Sequence, residues 1–153
     1  MSLTPSAVAP TLILSWGNPS RGDDALGPVL HERLSQSWLA GVELITDFQL
    51  QIEHSLDLLQ RERVIFVDAS QTTAAPFIYQ AILAERDDSY SSHAMSPQAL
   101  LGVFEQVQQQ PAPSAFLLSI RGYEFGLGLP LSPQANNNLQ QACDYLFELL
   151  SRS

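Results

Sequence analysis

The stretch Val64–Ala84, VIFVDASQTTAAPFIYQAILA, decides the architecture. It opens with four consecutive apolar residues, Val64 to Val67, followed by Asp68 and Ala69. A short run of that kind reads as a strand buried on both faces, as in the middle of a parallel sheet. It closes with a second strand-like run, Phe77–Ala84. Only the seven residues 70–76 separate the two. Two parallel strands need a crossover of about a dozen residues or more, usually a helix. The strand at Phe77–Ala84 is therefore expected to run antiparallel to the rest.

Outward from this pair, strands and helices alternate. Upstream, Thr11–Trp16 (TLILSW) is another nearly all-apolar run and the first expected strand. The loop GNPSRGDD follows, then a helical spacing through Leu26, Val29, Leu30, Leu34 and Trp38, with Pro28 in the first turn, where its missing N–H costs little. Val42–Thr46 is a short strand, and Ile52, Leu56 and Leu59 mark a further helix. Downstream, the polar loop Glu85–Ser96 leads to a helix carrying Leu100, Val103, Phe104 and Val107. Ala115–Ile120 is the fifth strand. After the loop RGYEFGLGLP comes a last helix with Ala135, Leu139, Ala142, Leu146 and Leu149 on one face, Ser132 as N-cap and Pro133 at its first position. This order predicts a three-layer α/β/α domain with a five-stranded, mostly parallel sheet and one antiparallel strand. Residues 1–153 form one such domain, with 1–10 a loose leading segment.

Composition narrows the class of function. The chain has 153 residues and a net charge of −9, and all seven basic residues are scattered arginines. Without a basic stripe, nucleic acid and anionic membrane surfaces are poor partners. No apolar run is long enough to span a bilayer, and MSLTPSAVAP lacks the basic start and apolar core of a signal peptide. A single cysteine, Cys143, excludes an internal disulfide and a cysteine-based zinc site, and with the missing leader points to the cytoplasm. It falls in the apolar pattern of the last helix and is expected in the core.

In open α/β sheets ligands bind beyond the carboxyl ends of the strands, where strand order switches. Asp23 and Asp24 follow the first strand, Asp68 closes the third, and His93 precedes the third helix. With a strand order 2-1-3, Asp24 and Asp68 would face one crevice. Each residue also has a plain reading. Asp23 or Asp24 caps a helix and meets its dipole, Asp68 anchors a loop, and His93 is an ordinary hydrogen-bonded histidine. His31 and His54, beside acidic neighbours in helical patterns, read as solvated. Taken together, two carboxylates and an imidazole form a ligand set suited to Zn²⁺ or Ni²⁺, with positions left open for water or substrate. GNPSRG lacks the lysine of a phosphate loop and ends in two aspartates, so phosphate is disfavoured. An acidic Mg²⁺ pocket of the flavodoxin-like regulatory kind would want a lysine after the fifth strand, and the chain has none.

The stretch Gly17–Val29, GNPSRGDDALGPV, resembles the N-terminal signature of the nickel–iron hydrogenase maturation endopeptidases. VIFVDAS, SSHAMSP and EFGLGLPLSP match further blocks of that family in the same order, so the likeness runs from about Leu12 to Leu150. The chain departs from the pattern at Ser15 and Ala25, where glycines are common, and at Asp47–Gln51, where some members carry a glycine-rich turn. The resemblance implies a twisted five-stranded sheet with one antiparallel strand. It also implies an endopeptidase that removes a C-terminal peptide from the hydrogenase large-subunit precursor once nickel is in place. Asp24, Asp68 and His93 would then be the catalytic, metal-contacting set. They would act on nickel carried by the precursor, with zinc or cadmium as surrogates. Asp23 would orient its loop or share acid–base work, and Arg121 and Glu124 would line the groove or form an ion pair. A different class, a non-catalytic module that senses or delivers metal to a metalloprotein partner, would use the same three residues.

Overall fold

The computed structural model describes residues 8–86 and 95–152. Five strands, β1 (Thr11–Trp16), β2 (Val42–Asp47), β3 (Arg63–Ser70), β4 (Phe77–Ile82) and β5 (Ser114–Arg121), form one sheet in the order β2-β1-β3-β5-β4. β2, β1, β3 and β5 are parallel, and β4 pairs antiparallel with β5. The short connection after β3 thus has the consequence expected of it.

Alternation along the strands divides the core into two layers. Ile13, Ile65, Val67, Leu118 and Ile120 pack on one face against α1 (Leu26–Ser35) and α3 (Pro133–Ser151). Leu12, Leu14, Val64 and Phe66 pack on the other against α2 (Pro97–Gln108) and the 3-10 helix Ile52–Leu58. Val64 to Val67 are all fully buried, which explains why β3 shows no polar alternation. Both α2 and α3 start as their sequences dictate. Ser96 Oγ accepts the Ala99 N–H at 3.1 Å and Ser132 Oγ accepts that of Ala135 at 3.2 Å, with proline next in each case. Cys143 is buried in the core, and no helix among the described residues is long and apolar enough to cross a membrane.

Several expectations need correction. α1 ends at Ser35, where the Gln36 N–H donates to the Arg33 carbonyl and the Ser37 N–H to that of Leu34, so Trp38 lies beyond the helix and is 88 % exposed. β4 stops at Ile82, leaving Leu83 exposed, and Val107 faces outward from α2. The segment after β2 winds as a 3-10 helix rather than an α-helix. Its tighter period turns His54, Ser55 and Leu58 inward and leaves Ile52 and Leu56 exposed. His54 is therefore buried instead of solvated. His31 is half-buried, and its Nδ1 is enclosed with no hydrogen-bond partner among the described residues. Burial pushes its imidazole below the usual range, against the pull of Glu32.

Candidate active site

β1 and β3 are adjacent at the centre of the sheet and part company at their carboxyl ends. Their pairing stops at Ser15 and Val67, whereas β3 continues beside β5 for three more pairs, up to Ser70 and Arg121. β1 instead stays with β2: Trp16 pairs with Asp47, and the Gly17 N–H donates to the Asp47 carbonyl at 3.1 Å. α1 covers one face beside this point and α2 the other, so the opening between β1 and β3 is the switch point of the sheet.

The loop leaving β1 delivers Asp23 and Asp24 in a 3-10 turn, Gly22–Ala25. The two neighbours have opposite fates. Asp23 is 0 % exposed, and its carboxylate takes four donors. Oδ2 accepts the N–H groups of Tyr123 and Glu124 at 2.7 and 3.0 Å and the Ser132 hydroxyl at 2.7 Å. Oδ1 accepts the Ser132 N–H at 2.7 Å. Burial pushes this carboxyl up, but the N–H groups of Ser132, Glu124 and Tyr123 outweigh it and hold the group below its ordinary value. Asp23 is thus a clamp between the first loop and the loop 122–132, and its reading as a helix cap is replaced. The backbone completes the clamp: Asp23 N–H donates to Glu124 at 2.7 Å, Gly22 N–H to Leu129 at 3.0 Å and Gly128 N–H to Ser20 at 2.7 Å.

Asp24 points the other way and stays half-exposed. Its Oδ2 accepts the Asn18 N–H at 2.7 Å. Gly17 makes that arrangement possible. At φ +151°, a Cβ there would fall 2.0 Å from the Asp24 carbonyl oxygen, so only glycine lets the two backbones meet.

Asp68 lies in register with Ser119 of β5, on the part of β3 that outruns β1. Burial, and then the negative charge of Asp24, push its carboxyl up to about 7, against a backbone hydrogen bond from Ala69 that pulls it down. The two carboxylates therefore feel each other across the opening. A carboxyl poised near neutrality can both give and take a proton at physiological pH. His93 lies outside the described residues, and among those described no three His, Cys, Asp or Glu side chains form a metal-holding group.

Arg121 and Glu124 form no ion pair with each other. Arg121 Nη1 donates to the Thr73 carbonyl at 2.9 Å and Nε to the Gly122 carbonyl at 3.2 Å, and the guanidinium lies 5.0 Å from the Tyr123 ring centroid. Arg121 thus braces the loop after β3 against β5. Sequence reasoning allowed Asp23 a loop-orienting role but missed its partners in the loop 122–132. The available signal was the glycine-rich RGYEFGLGLP segment, whose exposed N–H groups suit a buried carboxylate.

Comparison with known proteins agrees with this fold. No family model matches the chain, and no curated protein sequence matches it. Solved structures do. A [NiFe] hydrogenase maturation protease, HycI, from Thermococcus kodakarensis superposes with a TM-score of 0.72 at 20 % identity, covering 95 % of each chain. The hydrogenase maturating endopeptidase HybD from E. coli gives 0.73 at 19 % identity, over 93 % of this chain and 92 % of its own. A hydrogenase 2 maturation peptidase from a Thaumarchaeota archaeon gives 0.67 at 21 %, over 92 % and 97 %. Over nearly its whole length, this chain has the fold of the hydrogenase maturation proteases.

Proposed function

We propose that this protein is a cytoplasmic endopeptidase of hydrogenase maturation. It removes a C-terminal peptide from the precursor of a nickel–iron hydrogenase large subunit after nickel insertion. Within a fold shared with such proteases, the observation that carries the reading is the Asp24–Asp68 pair at the switch point, with Asp68 pushed up to about 7. A carboxyl whose proton affinity is raised by burial and by a neighbouring carboxylate suits a divalent cation, whose arrival replaces the proton. The nickel here is substrate cargo, held by the precursor and read by Asp24, Asp68 and His93. Zinc or cadmium serve as surrogates.

Hydrolysis of the scissile amide adds water to the carbonyl carbon and moves one proton to the departing amine. Asp68, ionised once the cation has displaced its proton, is the group placed to take a proton from that water and pass it to the amine. Asp24, whose carboxylate accepts the Asn18 N–H, faces the cargo beside it. Asp23, fully occupied by its four donors, is left outside the proton transfers and serves to hold the loop.

The test is intact-mass spectrometry of the precursor, nickel-loaded and nickel-free, incubated with the protein and with its Asp24→Asn variant. Loss of a C-terminal peptide only from the nickel-loaded precursor, and only with the unmodified protein, is expected. An unchanged mass with co-elution of the two proteins would replace the reading by a non-catalytic metal-sensing or metal-delivery module. An unchanged mass without a complex would overturn both.

A further inference from the structure

We infer that His54 is a positioning residue for Asp24, acting through Asp47 and the Gly17–Asn18 segment. This inference deepens the function proposed above, and its structural half stands independently of it. His54 is 7 % exposed, although its sequence context marks it as a surface residue. Its Nδ1 accepts the Gln51 N–H at 2.8 Å, so that nitrogen carries no proton in this arrangement. The proton then sits on Nε2, which lies 3.2 Å from Asp47 Oδ2.

The other oxygen of Asp47, Oδ1, accepts the Phe48 N–H at 2.7 Å. The Asp47 side chain is therefore held from both sides, and the peptide it belongs to is held with it. That residue is the last of β2, and its carbonyl takes the Gly17 N–H at 3.1 Å. The next amide, that of Asn18, donates to Asp24 Oδ2 at 2.7 Å. One chain of contacts thus runs from the buried ring to the carboxylate: His54 to Asp47, Asp47 to Gly17, and Asn18 to Asp24. Gly17 adds rigidity to it, because its backbone already touches the Asp24 carbonyl where a Cβ would collide. A carboxylate that must meet a cation is sensitive to displacements well under an ångström, so a fixed tautomer three contacts away has consequences for catalysis.

Two substitutions separate the ring's two bonds. His54→Gln places an amide nitrogen where Nε2 stood and keeps the bond to Asp47. His54→Asn places its amide oxygen near Nδ1 and keeps only the bond to Gln51. In the full chain, amide hydrogen exchange read by NMR should show the Asn18 and Gly17 amides at least about tenfold faster in His54→Asn, and near wild type in His54→Gln. The Ala135 amide, held by Ser132, should be unchanged in both. Long-range proton–nitrogen spectra of the unmodified protein should show the His54 proton on Nε2. On nickel-loaded precursor, His54→Asn should lower kcat with KM little changed, and His54→Gln should restore it. A proton on Nδ1, equal exchange in both variants, or acceleration spread to Ala135 would overturn the inference. Failure of the unmodified protein to cut the precursor would remove the proposed function, while the exchange data alone would still decide the positioning.

Discussion

Replacing Asp68 by asparagine should make the protein more stable while abolishing its activity, and the gain should depend on pH in a defined sense. The carboxyl has its proton affinity raised from 3.8 to about 7 on folding. Between those values the folded state holds a proton that the unfolded state has released. Stability therefore falls as pH rises through that window, and above it the ionised carboxylate imposes its full cost. A shift of about three units corresponds to at most about 4 kcal/mol. Water penetration and relaxation around a half-buried group reduce this, so about 2–3 kcal/mol is expected. Asparagine has the same shape without the charge and no such slope. The assay is urea unfolding followed by tryptophan fluorescence. Trp38 is 88 % exposed and contributes little change, whereas Trp16 packs edge-on against Phe66 with ring centroids 6.2 Å apart and reports the transition. At about pH 8 the variant's midpoint should rise by about 1–2 M urea, and below about pH 4 the two proteins should coincide. An equal gain at both pH values, or a loss at about pH 8, would refute the assignment of burial and the Asp24 charge as the cause.

Asp23 carries the opposite sign. Its lowered carboxyl stabilises the fold above its ordinary pKa, and that contribution is lost as pH falls through the depressed value, so acid unfolding below about pH 4 should be steepened by it. Asp23→Ala strands four donors, the two of Ser132 buried, and should cost about 3–5 kcal/mol, measured by urea unfolding at neutral pH. A cost below about 1 kcal/mol would mean that the 122–132 loop is held by its backbone bonds alone. Gly17→Ala drives a Cβ against the Asp24 carbonyl 2.0 Å away. It should lower precursor cleavage at least about tenfold even at temperatures where circular dichroism shows the chain fully folded.

How far the sequence could be read depended on where the deciding contacts lay. The five strands were legible because β1 and β3 are buried on both faces and so appear as unbroken apolar runs. The antiparallel edge was legible because chain length alone forbids the alternative. Trp38 misled because apolar spacing continues past Ser35, while the helix ends through backbone bonding that leaves no mark in hydrophobicity. The 3-10 winding of Ile52–Leu58 misled in the same way, since Ile52, Leu56 and Leu59 are spaced as an α-helix would have them and nothing in that spacing reveals the tighter turn. Asp24 and Asp68 stood out as candidates by their place at the strand ends together with the family resemblance. The contacts of Asp23 and the burial of His54 could not be read that way. The partners of Asp23 stand about 100 residues away, and the ring of His54 takes its meaning from Asp47, on a different element.

The clamp on Asp23 has a consequence for biosynthesis. All four of its donors belong to residues 123, 124 and 132, in the last fifth of the polypeptide. A chain emerging from the ribosome can pair β1, β2 and β3 long before those residues exist, since domains begin to form from the N-terminal side during synthesis. The Asp23 side of the loop has nothing to close on until β5 and the start of α3 have arrived. A nascent or truncated chain therefore holds Asp23 without its donors, and the candidate site is completed among the last events of folding.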